Sequence, residues 1–182
     1  MARKEKFTKE DILNKSVLYI KEFGIDRLTV RDLVKFIGCS TQPIFRFYSK
    51  WNDFKIDLKE YLYNDYKEFI SNYVNVEDYL MTISYAYAMY SKVEPNIFKA
   101  LFITELAGSR TTLEVVNTKR NKDTINAMVK QYNISLNEAK NVYLDVRFYT
   151  HGIASQLCCG SIILSDDEIY KLIYNMIKLR IK

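Results

Sequence analysis

Apolar residues return every three or four positions along most of the chain. Between Thr8 and Phe23, the positions Ile12, Leu13, Val17, Ile20 and Phe23 share a helical face with the small Ser16. Thr8 and Asp11 make a capping-box start, and Gly24 closes the helix. Thr29 then caps a second helix, Val30 to Ile37, with Val30, Leu33, Val34 and Ile37 on one side and Gly38 after it. Ser40 is expected to cap a third, Thr41 to about Tyr48, whose first turn tolerates Pro43 because its amides have no acceptor to lose. A long fourth helix opens at Ser49 or Asn52 and carries Phe54, Leu58, Tyr61, Leu62 and Phe69. Further helices are expected from Tyr79 to Lys92 and, after a break at Pro95, from Ile97 to Leu106. A loop follows from Gly108 to Thr112, then a polar helix reaching about Tyr132. Ser135 caps Leu136 to Cys159, and Ser165 caps the last helix with Asp166, Asp167 and Glu168 in its first turn. The pattern predicts an all-α protein.

Composition narrows this picture. Only 2 Pro and 5 Gly in 182 residues leave too few turn residues for a β-sandwich, and an apolar fraction of 48% suffices for a proper core. No apolar run follows Met1 to Phe7, and no stretch approaches a membrane span, so a cytoplasmic chain is expected. Cys39, Cys158 and Cys159 are odd in number and lack metal-ligand spacing, which points to small buried apolar roles. With a single His, a His-based metal site or catalytic triad would have to be built from one imidazole, which weakens simple enzyme readings, and no Gly loop that would cradle a phosphate stands out. The expectation is a non-enzymatic protein with no catalytic residues, metal or cofactor.

Charge adds one asymmetry. Of the net +5, residues 1–60 hold 13 Lys and Arg against 9 Asp and Glu. Such a surplus is compatible with phosphate contacts and with a plain solvated face. The 15 Tyr and 10 Phe are explained either by an AT-rich genome or by an aromatic-lined cavity.

Three short helices, two of them joined around Gly38, describe a helix-turn-helix unit whose third helix presents its outer face to the major groove. Ile44 and Tyr48 point inward with Cys39, leaving Thr41, Gln42, Arg46 and Phe47 outward. The runs Leu28-Thr29-Val30-Arg31-Asp32-Leu33-Val34 and Gly38-Cys39-Ser40-Thr41-Gln42-Pro43-Ile44-Phe45-Arg46-Phe47-Tyr48 resemble the DNA-binding head of TetR/AcrR transcriptional regulators. The resemblance covers residues 8–60. It departs from the family at Phe45, usually Tyr, and at Trp51, usually Lys, with Lys50 just before it.

That resemblance implies an N-terminal DNA-binding domain over residues 1–51 and a helical effector-binding and dimerisation domain over 52–182. Thr29 serves as cap and phosphate contact, while Arg31 meets a phosphate or pairs with Asp32 or Glu22. Thr41 and Gln42 read bases, since an amide matches adenine's donor and acceptor and a Thr methyl suits thymine. Pro43 and Phe45 lie on the same helix at the interface. Arg46 reads guanine or grips phosphate, and Phe47 either lies against sugar and thymine methyls or is core while Tyr48 turns outward. Lys50 stands in for the family's lysine if the helix start has moved by one. Arg3, Lys4 and Lys6 form an arm that adds non-specific contacts or is a solvated tail.

In the body, Phe148-Tyr149-Thr150-His151-Gly152-Ile153-Ala154 resembles the aromatic-x-His-Gly signature of the family's penultimate helix. This helix is apolar on two sides, so it needs neighbours on both, and pairing of the last two helices with a second copy gives an isologous dimer. The family resemblance implies an unknown small-molecule effector and a palindromic double-stranded operator bound by the homodimer. Tyr61, Tyr66, Tyr85, Phe98, Phe102, Tyr143 and Phe148 are candidate cavity walls, or plain core. Arg147 is an anchor for an anionic ligand or the partner of an acidic neighbour, the latter preferred. For His151, an interface role is preferred over a ligand contact or a pH-sensitive one. A ligand-responsive repressor is the leading reading. The alternative is a helical interaction adaptor that keeps the head fold and binds DNA weakly.

Overall fold

Cap chemistry fixes where most helices begin. Thr8, Ser135 and Ser165 each accept a hydrogen bond from the backbone N–H three residues on, satisfying a donor the first turn leaves open. At Thr8 and Ser165 the acidic residue at that position reaches back, to close a full capping box. Helix ends use positive φ: Gly38 and Gly160 adopt the left-handed conformation with φ 79° and 69°.

The structure is a computed structural model that describes residues 7–181; the arm residues Arg3, Lys4 and Lys6 lie outside them. Among the described residues there are ten α-helices and no strand. They are α1 Lys9–Phe23, α2 Val30–Ile37, α3 Gln42–Phe47, α4 Trp51–Ser71, α5 Tyr79–Val93, α6 Pro95–Phe102, α7 Thr112–Asn117, α8 Lys119–Tyr132, α9 Leu136–Cys159 and α10 Asp166–Arg180. No helix of the described residues is long and apolar enough to cross a membrane.

Four local expectations change. Thr41, rather than Ser40, is the N-cap of α3, and it makes no side-chain cap bond because its backbone is already helical, with φ −72° and ψ −17°. Neither Ser49 nor Asn52 opens α4: the Asp53 carboxylate accepts the Lys50 N–H at 3.0 Å and starts the helix at Trp51. Pro95 opens α6 rather than only breaking the chain, the ordinary first-turn use of proline. The single polar helix expected before Tyr132 is two, because Thr118 turns extended at φ −62°, ψ 146° between α7 and α8.

The chain divides into two compact units. The first runs through Tyr66 and includes Asn96–Ala107; the second comprises Lys67–Pro95 and the residues from Gly108 onward. The 51/52 boundary that the family resemblance implies lies at the start of α4. Residues 96–107 join the first unit through specific bonds: Asn96 Nδ2 donates to the Lys21 carbonyl at 2.9 Å, and Lys59 Nζ donates to the Ala107 carbonyl at 2.8 Å. Its core takes Ile12 and Ile20 from α1, Leu33 from α2, Ile44 from α3, Phe54, Leu58 and Leu62 from α4, and Ile97 and Phe98 from α6.

In the second unit α9 is central, with α5, α8 and α10 packed against it. Its core joins Leu80, Met81, Ala88 and Met89 to Val142, Val146 and Ile153, then to Ile169, Ile173 and Ile177 of α10. Ion pairs bracket α10: Lys92 Nζ meets Asp166 Oδ1 at 2.6 Å, and Arg180 meets Asp145 at 2.7 Å. Both pairs are largely exposed, so each adds about 1 kcal/mol at most and the buried isoleucines hold the helix.

Candidate functional site

The outer face of α3 follows from what its inner face must bury. Ile44 is fully buried and Tyr48 nearly so, four residues apart, which turns Thr41, Gln42, Phe45, Arg46 and Phe47 outward and leaves Pro43 half-buried. The two alternatives for the end of this helix are thereby separated: Phe47 is 39% exposed and Tyr48 faces inward. Phe45 is 47% exposed, a large apolar ring on the same face. Beside it an open concavity of about 860 Å³ is lined by Phe7, Gly38, Cys39, Ser40, Gln42, Pro43, Phe45 and Arg46.

Tyr48 is held by more than packing. Its hydroxyl donates to Asp57 Oδ2 at 2.5 Å, and Lys9 Nζ reaches the same oxygen at 2.9 Å. Burial opposes the Asp57 charge, but the bonds from Lys9 and Tyr48 outweigh it and hold the carboxyl below its ordinary value. Burial first, and the Asp57 bond second, push the Tyr48 phenol well above its ordinary range. Trp51, where the family's lysine is expected, stacks on Phe54 with centroids 4.4 Å apart, and Phe54 meets Tyr48 edge-on at 5.3 Å. The tryptophan has thus become part of the seat for the end of α3.

The remaining head candidates are placed as follows. Thr29 caps α2, taking the Asp32 N–H at 3.2 Å while its hydroxyl donates to the Asp32 carboxylate at 2.6 Å. With Asp32 so engaged, Arg31 is exposed and makes no ion pair among the described residues. Lys50 is exposed beside α4, its own N–H spent on Asp53. Arg46 is engaged within the chain: its guanidinium donates to the Phe7 carbonyl and lies 4.5 Å from the Phe47 ring centroid.

The effector candidates divide between the two units. In the first, Tyr61 donates to Asn14 Oδ1 at 2.6 Å, while Tyr66, Phe98 and Phe102 form one aromatic cluster with Phe102 about 5.0 Å from both others. In the second, Tyr85 lies edge-on to Tyr73 and Tyr170. Arg147 Nη1 approaches the buried Tyr143 hydroxyl at 3.5 Å, and the neighbouring Asp145 pairs with Arg180. Phe148 is 57% exposed, so its ring lies on the surface of α9 rather than in the interior.

His151 is half-buried, with Nδ1 2.9 Å from the Tyr87 hydroxyl. Tyr87 lies 64 residues away and carries no local signal that would single it out. Burial and then the Arg147 charge lower the imidazole pKa below its ordinary 6.5. The neutral ring shares one hydrogen bond with Tyr87 through Nδ1, its direction set by the tautomer. A depressed histidine value contributes stability that is complete above about pH 6.5 and is lost as pH falls through the folded-state value. Since His151 is the chain's one histidine, thermal stability should fall as pH is lowered from 7 to about 5.5 in the parent and stay flatter in His151→Gln. Equal slopes in the two proteins would contradict that assignment.

Among the described residues no group of three metal-ligating side chains is found. Together these features define an all-helical protein with a helix-turn-helix head and a helical body. No family model and no curated protein matches the sequence. Solved structures do match the fold. A TetR variant from Acinetobacter baumannii AYE, in complex with minocycline, aligns at TM-score 0.58 and 14% identity, covering 96% of this chain and 95% of that one. A TetR transcriptional regulator from Rhodococcus sp. RHA1 aligns at TM-score 0.56 and 12% identity, covering 93% and 92%. The chain therefore has the fold of TetR regulators along nearly its whole length.

Proposed function

We propose that the protein is a DNA-binding transcriptional regulator, a homodimeric repressor that grips a palindromic operator and is released by a small-molecule effector. On this reading residues 1–51 bind DNA, and residues 52–182 bind the effector and form the dimer through α9 and α10. The supporting observation is the outward face of α3, where Thr41, Gln42, Arg46 and Phe47 stand together on a helix anchored by buried Ile44 and Tyr48. The surplus of basic residues in the same part of the chain favours a polyanionic partner. That a neighbour of this fold was solved with minocycline supports a ligand-binding body.

Footprinting on the DNA flanking the protein's own gene tests the proposal. A protected palindrome, lost on adding a compound, is the expected result. Absence of a protected site at low salt would overturn it in favour of the interaction adaptor. Within the head, contacts should separate by type. Gln42→Ala is expected to weaken operator binding by about 1–3 kcal/mol while random duplexes bind nearly as before. Lys50→Ala should weaken every duplex and lower the salt slope by about one. Equal losses on operator and random DNA for Gln42→Ala would remove that residue from base readout.

A further inference from the structure

The last turn of α9 carries two adjacent thiols of unlike exposure. Cys158 is 4% exposed and donates to the Ser155 carbonyl at 3.3 Å, whereas Cys159 is exposed to solvent. Their sulfurs stand 4.0 Å apart. Gly160 follows in the left-handed conformation, and a Cβ built there would meet nothing within 4 Å, so the ground beside the pair is open.

A relaxed disulfide does not fit this pair. Adjacent Cα atoms lie about 3.8 Å apart across a trans peptide, below the roughly 4.4–6.8 Å that disulfides take. One atom placed between the sulfurs removes that conflict, because each thiol then bonds to the bridge and a small side-chain rotation closes the gap. We propose that Cys158 and Cys159 form a dithiol site for a trivalent, thiophilic metalloid of the organoarsenical class.

The chemistry balances without an oxidant. Cys159, being exposed, attacks the arsenic of an arsonous acid; a sulfur–arsenic bond forms, an arsenic–hydroxyl bond breaks, and the thiol proton leaves with the hydroxyl as water. The tethered arsenic is then beside Cys158, whose thiol displaces the second hydroxyl as another water. Arsenic stays trivalent throughout. Because the second bond forms within one molecule, it is expected to raise retention roughly a hundredfold over a single thiol. Cys159 also lies eleven positions beyond the exposed Phe148, about 16 Å along the helix axis. Cys39 is the internal control, alone in the other unit and with its thiol pKa pushed up by burial.

The site goes beyond the regulatory reading and can be tested on the native full chain with phenylarsine oxide, by intact mass and thiol titration. Parent and Cys39→Ser should each take up one phenylarsenic unit, lose two titratable thiols, and keep the adduct against a monothiol but not a dithiol. Cys159→Ser, a surface change that leaves the core intact, should lose retention about a hundredfold, as should Cys158→Ser. Retention unchanged in Cys159→Ser, an adduct that requires Cys39, or uptake only after unfolding would each overturn the site. DNA binding is a separate measurement, so failure here and failure of the regulatory reading are told apart.

Discussion

For the homodimeric regulator proposed above, Phe148→Glu is expected to give a monomer and, with it, to abolish tight operator binding. The body leaves large apolar side chains in water on its last two helices: Phe148 and Tyr149 on α9, and Tyr170, Tyr174 and Leu179 on α10. Burying one phenylalanine contributes about 1.5–3 kcal/mol, and an isologous interface counts it twice. Losing both copies therefore weakens association by about 3–6 kcal/mol, or roughly two to four powers of ten, before the cost of burying two carboxylates is added. A monomer presents one head to a two-half-site operator, so the second binding event loses its effective concentration, worth about a further 10²-fold or more. Sedimentation at micromolar protein checks the first step and an operator titration the second. Leu113→Glu is the control, because Leu113 is equally apolar and exposed but lies on α7. A variant at Phe148 that sediments like the parent would place the interface elsewhere.

Ile44→Ala should have the largest effect within the head. Ile44 is fully buried and is the anchor on which the outward face of α3 depends. Truncating a buried isoleucine to alanine costs about 2–5 kcal/mol, through lost burial and the cavity left behind. In a chain of two compact units the loss should appear as an earlier, separate unfolding step of the first unit, with the second little changed. Gln42→Ala provides the contrast, since Gln42 is exposed and its removal should leave unfolding within about 0.5 kcal/mol of the parent. A urea profile for Ile44→Ala that overlays the parent would show that Ile44 does not anchor the helix.

What the sequence discloses is mostly what short-range chemistry decides. Thr8, Ser135 and Ser165 announce helix starts because the acceptor and its N–H lie three residues apart, and Gly38 announces a stop because only glycine takes that turn cheaply. The break at Thr118 has no such mark, since neither proline nor glycine stands there and the change is one extended ψ. Pro95 is legible as punctuation but not in direction, because proline suits a helix's first turn as well as the end of the segment before it.

The site divides along the same line. That α3 would show Thr41 and Gln42 follows from helical spacing, and which of Phe47 and Tyr48 faces inward follows from the tertiary partners Asp57 and Phe54. Periodicity reveals that α9 is apolar on two sides but not that Phe148 lies on the one left uncovered within the chain. Arg46 bonding to Phe7 and His151 facing Tyr87 span 39 and 64 residues, beyond any local pattern. The buried role expected of the three cysteines holds for Cys158 alone, because Cys39 is half-buried and Cys159 exposed, a difference set by packing that spacing does not carry.

The bond from Tyr48 to Asp57 carries a mechanical consequence. It joins the end of α3 to α4, and Lys9 ties α1 to the same oxygen, so three elements share one fastening point. On the regulatory reading proposed above, the end of α3 and the stretch of α4 around Asp57 then turn as one piece. Operator affinity, on that same reading, follows the direction in which the piece points, as a crank transmits angle without changing its own shape.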